Sequence, residues 1–139
     1  MSRFVLDNTV TMAWCFPEET TAFTEGILND LANDGEALVP VLWRYEVVNV
    51  LVQSTKRGRI TRVKALAFLD DLMALPITID RDGLALAFTT VHALAERYQL
   101  TAYDAAYLEL ALRLQLPLAS LDRELCDAAG AAGVRLVGS

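Results

Sequence analysis

Five short apolar runs constrain this chain more than any other feature. They are "RFVLD" at 3–7, "EALVP" at 36–40, "PITID" at 76–80, "LASLD" at 118–122 and "VRLV" at 134–137. Runs this short, bounded by turn residues, suit strands buried on both faces. Helix-length stretches separate most of them, over 19–33, 41–57, Thr61 to about 75, 83–98, Thr101 to just before Pro117, and Asp122 to about Gly130. Gly58 is a C-terminal stop for the second of these and Thr61 a cap for the third. Strands that alternate with helices form a parallel sheet with helices on both faces. Right-handed crossovers then line the strand C-termini along one edge, where ligands bind in open α/β sheets. Asp7 and Asp122 close two of the runs at that edge.

With 139 residues, no repeat and no interdomain linker, residues 1–139 read as one domain. Apolar residues make up 54%, ample for one core. No run approaches the ~18–20 apolar residues of a membrane span. The N-terminus lacks the pattern of a signal peptide, so the expectation is a cytoplasmic protein with no membrane partner. Cys15 and Cys126 have neither CxxC spacing nor histidines around them, which argues for free thiols rather than structural zinc. The single histidine, His92, rules out a Ser/His/Asp or Cys/His arrangement unless His92 itself serves, and it falls mid-helix beside Val91 and Leu94.

Four acids stand out, and each alone has a structural role open to it. Asp7 suits an N-cap or Asx-turn. Glu46 sits in a mostly apolar helix, where Leu42, Asn49 and Gln53 share its stripe. Asp104 follows Thr101 by three residues, as in a capping box, yet shares a face with Leu108, Ala111 and Leu112. Asp122 suits the cap of the last helix. As a set they read differently, because two strand ends and two helices bring them to one edge. Two carboxylates about 4 Å apart repel by roughly 4 kcal/mol at an effective dielectric near 20. A hard divalent cation removes that cost, since Mg²⁺ and Mn²⁺ prefer oxygen ligands. An all-carboxylate metal centre suits phosphodiester hydrolysis.

The segments "FVLDNTVTMAWCF", "VPVLWRYEVVNVL", "LTAYDAAYLELALRLQLPLASLDREL" and "AGVRL" resemble the PIN domain, and within it the VapC ribonuclease toxins of bacterial type II toxin–antitoxin pairs. The likeness runs nearly end to end, and its motifs are specific as a set. It implies a three-layer α/β/α fold with a central parallel sheet. It also implies that Asp7, Glu46, Asp104 and Asp122 are catalytic and ligate Mg²⁺ or Mn²⁺. Asn49 completes the E-x-x-N pattern, and Thr9 stands where the family carries Ser or Thr. The further implications are RNA cleavage, a homodimer, and inhibition by a VapB-type antitoxin.

The net charge of −6 does not suit a general nucleic-acid binder, but five of the twelve basic residues fall in "KRGRITRVK". Lys56, Arg57, Arg59, Arg62 and Lys64 are therefore a candidate RNA-guiding patch, with a solvated helix end as the alternative. Rival readings fare worse. A haloacid-dehalogenase-like phosphatase needs a second Asp where Thr9 stands. A receiver-like domain wants a late strand-end Lys, and the only lysines are Lys56 and Lys64. A PIN-like module kept only for protein binding has no reason to keep all four acids.

Overall fold

The computed structural model describes residues 2–138. Four parallel strands, β1 Arg3–Leu6, β2 Glu36–Pro40, β3 Ile77–Asp80 and β4 Leu118–Ala119, form a sheet in the order β3-β2-β1-β4. Val5 lies opposite Leu38 on one side and Leu118 on the other. Phe4, Val5, Leu6, Leu38, Val39 and Leu118 are all buried, which is why the inner runs read as uninterrupted apolar sequence. Seven α-helices accompany the sheet among the described residues: α1 Asn8–Cys15, α2 Ala22–Ala32, α3 Leu42–Lys56, α4 Arg62–Met73, α5 His92–Tyr98, α6 Ala102–Leu114 and α7 Arg123–Ala131. The result is the expected three-layer α/β/α arrangement with a central parallel sheet. Among the described residues, no helix is long and apolar enough to cross a membrane.

Three local expectations are corrected. Helix α1 was not anticipated, because Val10, Thr11, Met12 and Ala13 are buried in succession and leave no amphipathic period to read. The stretch 83–98 is not one helix. It is a 3₁₀ turn over Asp82–Leu86, a π-helical turn over Ala87–Val91, and then α5. The first turn is drawn onto β3 by the Gly83 N–H, which donates to Asp80 Oδ2 at 3.0 Å. A Cβ at Gly83 would press on that oxygen and on Glu109 Oε1, and those side-chain ends would have to shift to admit it. Finally, "VRLV" is only a bridge, in which Leu136 pairs with Leu118. Strand β4 is two residues long and offers no longer edge, because Pro117 precedes it and the chain turns away after Ala119.

The turn between α2 and β2 sets where β2 begins. Asp34 adopts φ 72°, and the Gly35 N–H donates to the Asp30 carbonyl at 2.7 Å. A side chain at Gly35 would run into that carbonyl.

Candidate metal centre

Asp7 leaves β1 and starts α1. Its backbone carbonyl accepts from the Val10 N–H, while its side chain makes no cap bond. The carboxylate, 4% exposed, accepts instead from two hydroxyls, Thr9 Oγ1 at 2.6 Å and Ser120 Oγ at 2.7 Å, both on Oδ2. Each hydroxyl also takes a backbone N–H from the β4–α7 junction. Thr9 Oγ1 accepts from Leu121 at 2.9 Å and Ser120 Oγ from Asp122 at 3.0 Å. Two strand ends are thus stapled together around one carboxylate. Burial pushes the pKa of Asp7 up, the two hydroxyls pull it back, and Asp122 adds to the rise, which prevails.

Asp122 serves as the cap of α7, with Oδ1 accepting from the Leu125 N–H at 3.1 Å. Glu46, half-buried in the second turn of α3, accepts from the Tyr107 hydroxyl at 2.6 Å on Oε1. Burial raises Glu46 to about 7, against the pull of the Tyr107 hydrogen bond and with help from Asp7 and Asp104. Asp104 stands in the first turn of α6. Its N–H donates to Thr101 Oγ1 at 3.1 Å, so Thr101 is the cap and the Asp104 carboxylate is not spent on closing a capping box. Burial, then the charges of Asp122, Asp7 and Glu124, raise Asp104 to about 6.

Glu46 therefore feels the charges of Asp7 and Asp104, Asp104 those of Asp122 and Asp7, and Asp7 that of Asp122. Among the described residues, no ion pair reaches any of the four acids. Asp80, another strand-end acid, shows the contrast. Burial pushes it up, but Arg113 bonds both its oxygens, at 3.2 and 2.6 Å, and with the Gly83 N–H holds it below the usual carboxylate range. Arg113 is shared with Glu109 at 2.8 Å. The protein neutralises one strand-end acid with a guanidinium and leaves the others bare.

This donor set fits a hard divalent cation in chemistry and charge: all oxygen, several negative charges, and no ion pair to a lysine or arginine among the described residues. Beside Asp7, Asn8 Oδ1 is also buried with no hydrogen-bond partner. As they stand, the side chains are not drawn into a closed cluster, and among the described residues no three Asp, Glu, His or Cys side chains are gathered to hold an ion.

Not every residue singled out from the sequence joins the site. Asn49 is exposed on α3, and no hydrogen bond ties it to the acids. Lys56 and Arg57, at the end of α3, and Arg62 and Lys64, in the first turn of α4, are exposed. Arg59 is already engaged. It pairs with Glu18 (Nε–Oε1 3.0 Å) and Glu19, and lies 3.7 Å over the Phe16 ring. His92 is exposed and 4.0 Å from Glu96. Conversely, Ser120, Tyr107 and the nearby Glu124 were missed. The one available signal was the Ser two residues before Asp122, mirroring the Thr two residues after Asp7.

The PIN domain family model matches residues 4–131. The chain belongs to the PIN domain family. This PIN domain is 29% identical over 125 residues to Ribonuclease VapC3 of Pyrobaculum aerophilum, spanning 90% of this chain and 93% of that protein. Its fold is similar to VapBC2 from Rickettsia felis bound to a DNA fragment from their promoter, with TM-score 0.67, 12% identity and 96% of each chain covered. It is also similar to a toxin–antitoxin complex from Klebsiella pneumoniae, with TM-score 0.57, 19% identity and 94% of each chain covered.

Proposed function

We propose that this PIN domain is a VapC-type endoribonuclease toxin of the cytoplasm, in which Asp7, Glu46, Asp104 and Asp122 hold Mg²⁺ or Mn²⁺ and RNA is cut by hydrolysis. The observation that carries this reading is the set of mutually repelling acids without a cationic partner among the described residues, at the edge where Asp80 has been given one. When bound, the ion supplies neutralising charge, an acidified water and stabilisation of the leaving oxygen. The chain supplies the orientation. Thr9 and Ser120 fix Asp7 from two sides, the cap of α7 fixes Asp122, and the Thr101 cap sets the first turn of α6 on which Asp104 is carried. Lys56, Arg57, Arg62 and Lys64 are left to attract the RNA backbone.

The partners follow the same reading. A groove of about 720 Å³ runs past Tyr45, Leu84, Phe88 and Tyr103, and Phe88 is 97% exposed. An apolar face of this kind suits a protein partner, and a second copy of the chain is the occupant we assign to it. A VapB-type antitoxin restrains the enzyme. The resemblance to VapC ribonucleases and the fold shared with a toxin–antitoxin complex support that assignment.

The test is cleavage of total cellular RNA by the purified protein. Activity is expected with Mg²⁺ or Mn²⁺, none with EDTA, and recovery on adding metal back. Asp7→Asn, Glu46→Gln, Asp104→Asn and Asp122→Asn are each expected to lose at least 100-fold while remaining folded. Asp122→Asn is the sharpest of the four, because Asn caps a helix about as well as Asp. Full activity in that variant would reduce Asp122 to a cap.

A further inference from the structure

We infer that Tyr107 is a positioning residue that holds the Glu46 carboxylate in a single orientation within the metal site. The inference rests on the metal-centre reading above and names a residue that reading did not use. Tyr107 is fully buried, on the helix that carries Asp104 three residues earlier. A tyrosine ring fills core volume as a phenylalanine would, so its hydroxyl needs a separate explanation. That hydroxyl has one proton to donate, and it goes to Glu46 Oε1 at 2.6 Å, across 61 residues of sequence. The hydroxyl oxygen is also within electrostatic reach of the Asn8 backbone N–H, at the junction that carries Asp7. Tyr107 thus links the elements that bear Asp7, Glu46 and Asp104.

Glu46 needs such a brace. It has one more rotatable bond than an aspartate, and it sits only half-buried within α3. Asp7 has two hydroxyls and Asp122 a backbone N–H, whereas the side-chain bond given to Glu46 comes from Tyr107. Groups that hold a metal ligand from behind typically change metal affinity or activity by about 10–100-fold when removed.

Tyr107→Phe keeps the ring and removes the hydroxyl. Calorimetric titration with Mn²⁺ would be run on the parent, Tyr107→Phe, Glu46→Ala and the double variant, with metal-free melting curves to confirm folding. Tyr107→Phe is expected to raise the Mn²⁺ dissociation constant by about tenfold or more, and to change nothing further in the Glu46→Ala background. On a labelled single-stranded RNA, kcat should fall while KM holds. Unchanged Mn²⁺ affinity in Tyr107→Phe, or an equal loss with and without Glu46, would overturn the inference and leave the hydroxyl a structural role alone. A parent that binds no Mn²⁺ would be recognised separately, and would overturn the metal-centre reading and this inference together.

Discussion

Asp80 and Asp7 both mark a strand's C-terminal end, yet their surroundings drive their protons in opposite directions. Arg113 makes Asp80 a more willing anion, while burial and Asp122 make Asp7 a less willing one. Glu46, at about 7, and Asp104, at about 6, share the fate of Asp7. Their folded-state pKa values lie above those of the unfolded chain, so the folded protein binds more protons between roughly pH 4 and 7, and its stability falls as pH rises through that window. The metal-free protein is therefore expected to melt at a higher temperature at pH 5 than at pH 8 in EDTA, with millimolar Mn²⁺ reducing the difference. Glu46→Gln should melt above the parent at pH 8 without metal, since it removes a penalised charge and keeps an acceptor for Tyr107. Melting curves across that range check both statements. A parent whose stability rises from pH 5 to pH 8 in EDTA would contradict them.

At the scale of elements, the loop from α3 to α4 divides the basic stretch into paired and unengaged side chains. Arg59 is turned toward Glu18, Glu19 and Phe16, where it ties the loop to the 3₁₀ turn Pro17–Glu19. Arg57 and Arg62 stay exposed. Replacing Arg57 and Arg62 with Gln is expected to weaken RNA binding and flatten the slope of log affinity against log salt by roughly 0.7 per lost phosphate contact. Arg59→Gln should lower the melting temperature and leave that slope unchanged. Binding measured at several salt concentrations separates the two. Strand β2 was legible residue for residue, because a run buried from Ala37 onward and stopped by Pro40 has few other ways to fold. Helix α1 was illegible for a related reason: it is eight residues long, and its middle turn, Val10 to Ala13, is buried all round. The four acids stand out in the sequence because their types and spacings form a pattern along the chain. Ser120 and Tyr107 do not, because their importance lies in partners 113 and 61 residues away. Arg59 reads from composition as a free charge, because composition does not show which charges are already paired.

For the whole molecule, the acid site and the apolar groove lead to separate expectations. Phe88 lies on the π-helical turn, almost wholly in solvent in the single chain. If the proposed second copy occupies that face, Phe88→Glu places a charge on it and is expected to turn the parent's dimer into a monomer in sedimentation or light scattering, with Mn²⁺ affinity unchanged. The acids themselves carry the central claim, that one edge of the sheet is a metal centre. Titration of Mn²⁺ into the purified protein at pH 7.5, followed by calorimetry, tests it most directly. The account predicts saturable binding to the parent, weakened at least tenfold in Asp104→Asn, a variant that keeps the shape of α6 and its Thr101 cap. Absence of binding to the parent, or equal binding to the two proteins, would contradict it.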